Sequence, residues 1–416
     1  MARMRIKNFG PIKAGLSEND GWIEFKRLTV FIGNQGSGKS TIAKLFATFS
    51  WIEKALVRGD HDKKWFERKN RLRNQFLKYH RLEGYISNDS RDATKIDYEG
   101  EAFAINYEHG LLTINEVSGQ KYLLPQIMYV PAERNFISYV DNPKDLRLSS
   151  DSLKEFLAEF DNAKNSMRGA ISLPISEAEL EYDKLNDVLK IKDAGYKLKL
   201  TDASSGFQSS IPLYLVTKFL AEGVGGKDVA TDQPMSVNET ERFKNWIGLI
   251  AELDVLTEEQ KRAALSRLAS RFNKSAFLNI VEEPEQNLFP SSQWEMLKSL
   301  IKFNNIRDSN HLVVTTHSPY VINFLSICVK AALLKEKILQ QKNAALELKL
   351  EELIPSTALV NAQDLAIYQS DEKSGVVMRL GTSHGIPSDR NFLNNFLHKG
   401  NDIFDELLVI EEELQA

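Results

Sequence analysis

The sequence predicts an α/β fold whose core is a largely parallel sheet, and two segments predict it. An apolar run at residues 28–32 is followed by the glycine-rich stretch 33–40 and then by apolar spacing that suits a helix. Apolar runs at 276–281 and 311–316 enclose a helical pattern at 291–303, and strand–helix–strand order favours two parallel strands. Parallel sheets carry their sites at the carboxyl ends of the strands, so the residues that follow these runs are the first candidates for chemistry.

The size and composition of the chain narrow the possible classes. Its 416 residues suffice for one large domain or for two or three smaller ones. With 42% hydrophobic and 26% charged residues and a formal net charge of −4, it is typical of a folded soluble protein without a global basic field. The single cysteine, Cys328, excludes an intrachain disulfide, and no cysteine–histidine spacing suits zinc. No secretory signal is evident, and the longest apolar run, 321–334, is too short to span a bilayer. We therefore expect a cytoplasmic protein with no membrane association.

The glycine-rich stretch has the pattern G-x-x-x-x-G-K-S, which is typical of phosphate binding when a strand precedes it and a helix follows. The candidate phosphate-binding residues are Gly33, Asn34, Gln35, Gly36, Ser37, Gly38, Lys39, Ser40 and Thr41. Glycines let backbone N–H groups turn toward an anion, and the helix N-terminus adds partial positive charge. Lys39 would contact the β- and γ-phosphates, and the hydroxyl of Ser40 would coordinate Mg²⁺. The sequence therefore predicts a site for ATP and Mg²⁺ in this loop.

Charged residues follow the two later strands where those strands end. Glu282 and Glu283 come directly after one apolar run, and His317 follows the next. Glu282 would bind Mg²⁺ or its water, whereas Glu283 would orient and polarise the attacking water. His317 could contact the γ-phosphate or hold that water. The alternatives are an exposed acidic turn and a structural histidine, but charges at the end of a buried strand are costly unless they coordinate or pair. We predict that Glu283 and His317 are catalytic.

Other segments are assigned by their periodicity. Alternation from 84 to 130 predicts a small antiparallel sheet that ends in a strand at 126–130 returning to the core. Residues 141–200 read as helices broken at Pro174. Further patterns indicate a helix opened by Ser204-Ser205-Gly206, a loop at 222–240, helices at 241–272 and 330–353, a strand pair at 365–368 and 375–380, and an acidic terminal helix.

Residues 54–81 are rich in lysine and arginine, with aromatic residues interleaved. A helical face that binds a nucleic-acid backbone has this composition. A solvated amphipathic helix has it too, because Glu53, Asp60, Asp62 and Glu67 dilute the charge. DNA binding through this segment is therefore one of two interpretations.

Five motifs, in this order, resemble those of ABC-type ATPases. They are Gly33–Ser40, Ser204–Gln208, Phe277–Glu283, Glu285–Pro290 and His317. Within that class the chain resembles the soluble branch that contains RecF, SMC proteins and OLD (overcoming lysogenization defect) ATPases. The motifs most similar to OLD-type ATPases are Glu-Glu-Pro-Glu-x-x-Leu-x-Pro at 282–290, Thr-His-Ser-Pro at 316–319 and Val-Pro-Ala-Glu-Arg at 130–134. The resemblance covers about residues 3–325.

This resemblance implies a P-loop NTPase of the ABC type that forms a head-to-tail homodimer, or multiples of it, with two ATP molecules between the subunits. Each ATP would lie on one subunit's glycine-rich loop and be capped by Ser205, Gly206 and Gln208 of the other. Phe207 departs from the pattern, since transporters keep a second glycine there. Either Gln126 or the pair Glu133-Arg134 could take the place of the glutamine-loop residue of these ATPases.

The implied domain organisation has four parts. Residues 1–140 would form an N-terminal lobe with the phosphate loop and a small antiparallel β-subdomain, and residues 141–200 a helical insertion. Residues 201–330 would form a C-terminal lobe, and residues 331–416 a tail of helices and strands.

The biological role is a finer expectation. OLD proteins carry a Toprim nuclease after the ATPase, but the residues after His317 show no matching acidic pattern. The resemblance therefore extends to the ATPase components of antiphage systems such as Septu and PARIS, in which an oligomeric ATPase is sensor and scaffold for a separate effector, here expected to be a nuclease. The alternatives are a RecF-like DNA-binding ATPase of repair or recombination and a nucleotide-gated scaffold with very slow turnover.

Overall fold

The computed structural model describes residues 2–87, 92–117, 122–140, 148, 150–193, 195–224, 247 and 274–415. The strands are β1 (Arg3–Lys7), β2 (Gly15–Leu16), β3 (Ile23–Glu24), β4 (Leu28–Gly33), β5 (Lys95–Glu99), β6 (Phe103–Glu108), β7 (Leu111–Glu116), β8 (Pro125–Val130), β9 (Ile171–Ser172), β10 (Glu179–Asp183), β11 (Val188–Asp193), β12 (Tyr196–Lys199), β13 (Ala276–Glu282), β14 (His311–Thr316), β15 (Leu365–Ser370), β16 (Val376–Arg379), β17 (Thr382–Ser383) and β18 (Ile386–Pro387). The helices are α1 (Lys39–Arg58), α2 (Lys63–Phe66), α3 (Phe136–Tyr139), α4 (Asp151–Ser166), α5 (Ser205–Gly223), α6 (Pro290–Asn304), α7 (Pro319–Gln341), α8 (Ala344–Leu353) and α9 (Phe392–Gln415).

The central sheet has the strand order β2-β16-β15-β4-β14-β13-β8. Strands β15, β4, β14, β13 and β8 are parallel to one another, whereas β16 is antiparallel to β15. The register pairs Thr316 with Ile32 and Thr315 with Glu282, so β4, β14 and β13 end side by side. We call this the carboxyl edge of the sheet. The predicted α/β class, with its mixed core sheet and its phosphate loop between β4 and α1, is confirmed.

The two faces of the central sheet are both covered, which explains why its strands are apolar without alternation. Val30 and Ile32 face one apolar cluster, which they share with α4, α5, α6 and α7. Phe31 faces the other cluster, which contains α1 and the second sheet. That second sheet has the order β3-β1-β5-β6-β7 and is antiparallel, as the alternation at 84–130 predicts.

The prediction of helices over 141–200 is wrong after Ser166. Helix α4 is present, but β9, β10, β11 and β12 form a four-stranded antiparallel sheet in the order β12-β11-β10-β9. Leu180 on β10 and Leu189 and Ile191 on β11 are buried at every second position, while charged residues occupy the alternate positions. Cross-strand ion pairs such as Lys192–Glu179 (3.1 Å) join those charges. The prediction of helices missed this period of two, in which charged residues fill the alternate positions.

The C-terminal predictions are confirmed, with one unpredicted placement. Helices α7 and α8 cover residues 330–353, and α9 is the terminal helix. The predicted strand pair is β15 and β16, but β15 lies in the central sheet directly beside β4, so the tail completes the core. The predictions for 222–240 and 241–272 fall, beyond Val224 and apart from Ile247, outside the described residues. None of the described helices is long and apolar enough to cross a membrane.

Candidate nucleotide site

The phosphate loop, Gly33–Ser40, takes its shape from glycines with positive φ. Gly33, Gly36 and Gly38 have φ values of +143°, +75° and +99°, which L-residues with a side chain rarely adopt. A Cβ on Gly33 would lie 2.3 Å from the carbonyl oxygen of Ser370 on β15, so no larger residue fits there. A Cβ on Gly36 would meet nothing within 4 Å. The loop is therefore fixed against β15 on one side and open at Gly36 on the other, as a cradle for phosphate requires.

Lys39 lies inside this loop at the first position of α1. Its Nζ donates to the carbonyl oxygens of Gly33 (2.8 Å) and Asn34 (2.7 Å), and the Ser37 hydroxyl also donates to Asn34 (2.7 Å). Burial lowers the pKa of Lys39 to about 8, while the carboxylates of Glu283 and other nearby glutamates act in the opposite direction. The ammonium group is thus held inside the loop, where phosphate oxygens would offer it charged partners.

Glu282 ends β13 at the carboxyl edge, with a side chain that is almost fully buried. Its Oε2 accepts from the backbone N–H of Ala132 (3.1 Å), and Lys44 Nζ lies 3.8 Å from Oε1. Oε1 is buried and accepts no hydrogen bond from the described residues. Oxygen ligands suit Mg²⁺, which is commonly held by one carboxylate, a hydroxyl, waters and phosphate. The carboxylate of Glu282 and the hydroxyl of Ser40 in the first turn of α1 fit that donor set.

Glu283 pairs with His317 across the ends of β13 and β14. Its Oε1 lies 3.1 Å from His317 Nε2, and its backbone N–H donates to Thr315 O (2.8 Å). The hydrogen bond from His317 lowers the pKa of Glu283, with burial acting in the opposite direction. Glu283 also has φ of +44°, a left-handed conformation that costs a non-glycine residue on the order of 1–2 kcal/mol. Such strain clusters at functional sites.

Glu285 ties the two strand ends together. Its Oε1 accepts from the Thr316 hydroxyl (2.7 Å) and from the backbone N–H of His317 (2.7 Å). Burial raises the pKa of Glu285 above its ordinary value. We call Glu282–Glu285 the carboxylate loop. The carboxylate of Glu285 is occupied by its hydrogen bonds from Thr316 and His317. The carboxylates of Glu282 and Glu283 are therefore the candidates to bind a metal ion or water.

Arg134 belongs to one of the two candidates for the glutamine-loop position, but its contacts were not predicted from the sequence. It follows β8 in a short 3₁₀ turn and is fully buried. Its guanidinium donates to the carbonyl oxygens of Glu282 (2.7 Å), Glu283 (2.6 Å) and Ser209 (3.1 Å), and more weakly to Pro131 (3.3 Å). Burial lowers its pKa to about 10, so it stays protonated at neutral pH. Arg134 thus joins the carboxylate loop to helix α5.

The register between β8 and β13 distinguishes the two candidates for the glutamine-loop position, Gln126 and the pair Glu133-Arg134. Gln126 pairs with Phe277 at the opposite end of β13 from Glu282. Five residues of strand, about 17 Å, separate the two levels of the sheet. Gln126 therefore lies far from the carboxyl edge, whereas the pair Glu133-Arg134 lies at it.

We call Ser204–Gln208, at the start of α5, the cap segment. It contains the three residues that are predicted to cap ATP on another subunit. Ser204 and Ser205 are exposed. The Gln208 side chain donates to the carbonyl oxygen of Thr201 (2.9 Å), and a Cβ on Gly206 would lie 3.0 Å from Asn287 O. The segment therefore packs against Asn287, just after the carboxylate loop, and presents Ser205 to solvent, while the Gln208 side chain is hydrogen-bonded within its own chain. Its contact with ATP on another subunit stays a prediction.

The basic segment 54–81 is several short elements rather than one helical face. Helix α1 ends at Arg58, which is buried and paired with Asp60 (Nε–Oδ1 2.8 Å). Lys63 pairs with Glu116 (2.7 Å), and the Arg71 guanidinium lies 4.2 Å from the Trp65 ring centroid. The exposed basic residues of the segment include Lys64, Arg68, Lys69 and Lys78. The surface open to a polyanion is thus smaller than the composition indicates.

Comparison with known proteins adds similarities in fold. No protein-family model matches the chain, and no curated protein matches it. Among solved structures, it is similar to the SMC head domain from Thermotoga maritima, at 14% identity over 92% of this chain and 98% of that one, with a TM-score of 0.36. It is also similar to the Smc head domain with an extended coiled coil bound to the C-terminal domain of ScpA, derived from Pyrococcus furiosus, at 11% identity over 98% and 100% of the chains and a TM-score of 0.37.

A third similar structure is the dimer of a bacterial ABC transporter cassette, at 12% identity over 91% of this chain and 96% of that one, with a TM-score of 0.25. These three proteins belong to the broad class that the motifs predicted. At such identities and TM-scores, the likeness carries no argument about activity. The finer resemblance to OLD-type ATPases stays a prediction.

Proposed function

We propose that this chain is an ATPase that binds ATP and Mg²⁺ in the phosphate loop and hydrolyses ATP to ADP and phosphate. The observation that carries the proposal is the convergence of three strand ends. The phosphate loop, Glu282–Glu283 and His317 leave β4, β13 and β14 at the same edge, with Glu283 Oε1 3.1 Å from His317 Nε2. This edge therefore brings a glycine-rich loop together with two carboxylates at the nearby end of β13.

The roles follow from the contacts of each residue. Lys39 and the backbone N–H groups of the phosphate loop bind the phosphates. Ser40 and Glu282 hold Mg²⁺, which neutralises charge on the phosphates when bound. Glu283 orients and polarises the attacking water, because its lowered pKa keeps it ionised at neutral pH. His317 fixes the Glu283 carboxylate by the 3.1 Å contact, and Arg134 holds the backbone of both glutamates.

We further propose that the active assembly is a homodimer in which the cap segment of one subunit covers ATP on the other. The exposure of Ser205 supports this, since the first N–H groups of the 19-residue helix α5 lack helical acceptors and attract anions. The biological role that we favour is an ATP-dependent sensor and scaffold for a separate effector, expected to be a nuclease, in antiphage defence. It rests on the OLD-like motifs at 282–290 and 316–319.

A RecF-like DNA-binding ATPase is the second candidate. One observation favours it: Lys64, Arg68, Lys69 and Lys78 are exposed in the basic segment. Exposed lysine and arginine side chains are suited to phosphate-backbone contacts, which weaken steeply with salt.

The experiment that tests the proposal is the steady-state ATPase rate of the full chain against protein concentration, with and without linear duplex DNA. Glu283→Gln should lower the rate about 10²–10³-fold while ATP binding persists, because only the polarisation of water is lost. Glu347→Gln, which neutralises an exposed glutamate on helix α8, is the matched control and should keep the rate. A rate stimulated by DNA would favour the RecF-like candidate, and full activity in Glu283→Gln would contradict the assignment of that residue.

A further inference from the structure

Helix α9 carries an apolar face that no residue of the described part of the chain covers. Its start is anchored, because Asn391 caps it and the Phe392 N–H donates to Gln369 Oε1 (2.8 Å) on β15. Every described side chain from Asn395 to Leu414 is exposed. The large apolar ones are Phe396, Leu397, Ile403, Phe404, Leu407, Leu408, Val409, Ile410 and Leu414, with exposures from 43% to 84%. Helices gain most of their stability from packing, and apolar patches of this extent mark interaction sites.

The spacing along α9 is that of a coiled-coil seam. Steps of three and four residues alternate without interruption through Leu393, Phe396, Gly400, Ile403, Leu407, Ile410 and Leu414. One flank of the seam carries Lys399, Glu406 and Glu413, and the other carries Leu397, Phe404 and Glu411. Val409 lies on the face away from the seam. The helix is 24 residues long, so it reaches about 36 Å and can present several packing layers to a partner.

We propose that α9 pairs with α9 of a second copy of this chain, in antiparallel orientation about a two-fold axis. In that arrangement Phe396 packs against Leu414 of the partner subunit, and Ile403 against Leu407 of the partner subunit. Gly400 then faces Ile410 of the partner subunit, so the smallest residue of the seam meets a branched one. Every layer recurs with the roles of the copies exchanged, which is the condition for a self-complementary interface.

The flanking charges favour this orientation over the parallel one. Antiparallel pairing sets Lys399 beside Glu413 of the partner subunit twice, while Glu406 and Phe404 each meet their own copy near the axis. The flank therefore gains two attractive charge pairs against one repulsive pair. Parallel pairing would set Glu406 beside Glu411 of the partner subunit and would leave two Gly400 residues facing each other across a gap. Charge and packing therefore both favour the antiparallel pair. Lys399, the single lysine of this flank, has an acidic partner in the antiparallel pair but not in the parallel one.

This interface is separate from the ATP-dependent contact proposed above, because it uses neither the phosphate loop nor the cap segment. A chain with two self-complementary interfaces assembles beyond the dimer, into closed rings or open chains. Only this assembly beyond the dimer depends on the proposed ATP-dependent dimer. The helix pairing itself does not depend on nucleotide.

The first test is the molar mass of the full nucleotide-free chain by light scattering after size exclusion. We expect a dimer, and Leu407→Lys should halve the mass because it buries a charge in the seam. Val409→Lys introduces the same lysine on the opposite face and should leave the dimer intact. Thermal melting of both variants checks that the core is unchanged. A monomeric wild-type chain, or a Leu407→Lys variant that remains dimeric, would overturn the proposal.

The second test determines the orientation by disulfide formation between variants that each carry one introduced cysteine, while the native Cys328 stays buried. Gly400→Cys and Ile410→Cys chains should cross-link when mixed and oxidised, but neither should cross-link alone. In an antiparallel pair, two copies of position 400 are offset by about 15 Å along the axis. Cross-linking of either variant with itself, and none in the mixture, would mean that the helices are parallel. A nuclease or other effector that binds α9 of a monomeric chain would also contradict self-pairing.

Discussion

The phosphate loop and the carboxylate loop end neighbouring strands of one sheet, yet they are held in different ways. The phosphate loop is shaped by glycines, of which Gly33 lies close against β15, and its side-chain hydrogen bonds run from Lys39 and Ser37 to its own carbonyl oxygens. The carboxylate loop is held from outside, by Arg134 on two of its carbonyl oxygens and by contacts between Glu285 and β14. The first loop should therefore be sensitive to local shape, and the second to a distant side chain.

That difference also indicates where the site can be regulated. Arg134 bonds both the carboxylate loop and Ser209 on α5, so a displacement at the start of α5 can reach Glu282 and Glu283. Within the described part of the chain, the side-chain hydrogen bonds of the phosphate loop stay inside the loop and do not reach α5. ATP binding would then depend on the phosphate loop. The carboxylate loop would couple hydrolysis to the binding of a capping partner.

The largest effect is expected from Arg134→Met. Removing the guanidinium leaves buried carbonyl oxygens without donors, which should lower the free energy of unfolding by about 3–5 kcal/mol. Chemical denaturation of the nucleotide-free chain measures it. Arg68→Met, at an exposed arginine, is the control and should change stability by less than about 0.5 kcal/mol. Equal midpoints for the two variants would contradict the role of Arg134.

A smaller effect is expected from Gly33→Ala. The new Cβ would lie 2.3 Å from Ser370 O, so β4 and β15 must separate at that point and stability should fall by about 2–3 kcal/mol. At Gly36, alanine meets open space and only the strain of a positive φ remains, about 1–2 kcal/mol. Thermal melting of both variants separates packing from strain. If Gly36→Ala were the more destabilised, the contact with β15 would not be what fixes the loop.

The smallest effect is on the pH dependence of ATP binding. Burial lowers the pKa of Lys39 to about 8, so the lysine is charged below that pH and loses its charge above it. Affinity for ATP should therefore fall about tenfold between pH 7 and pH 9, by titration calorimetry or a fluorescent analogue. Lys39→Arg stays charged throughout and should bind more weakly but without this pH dependence. A wild-type affinity that is constant over the range would contradict the buried, titrating lysine.

Much of the site could be predicted from sequence because its elements are local. The glycine pattern between a strand and a helix fixes the phosphate loop, and charged residues at two strand ends identify Glu282, Glu283 and His317. The parallel arrangement then brings them to one edge, as the structure shows. Short-range patterns of this kind need no knowledge of distant contacts.

The parts that the sequence did not predict depend on long-range contacts or on ambiguous composition. Arg134 acts through residues about 75 and 150 positions away, and no local pattern indicates them. From the sequence, β15 is predicted only as one strand of a pair in the C-terminal tail. Its place in the central sheet depends on the long-range pairing of Ser370 with Gly33. At 171–199, charge density concealed an alternation in which Leu180 and Ile191 were the informative residues.

The proposed ATP site is shared between two subunits, and complementation tests this sharing most directly. Lys39→Ala removes phosphate binding, and Ser205→Arg blocks the exposed cap, so each variant alone should lack ATPase activity. When the two are mixed, half of the dimers contain both chains, and each of these has one intact site. We predict that the mixture recovers about a quarter of the wild-type rate per chain. A mixture no more active than its separate components would contradict a site completed by the partner subunit.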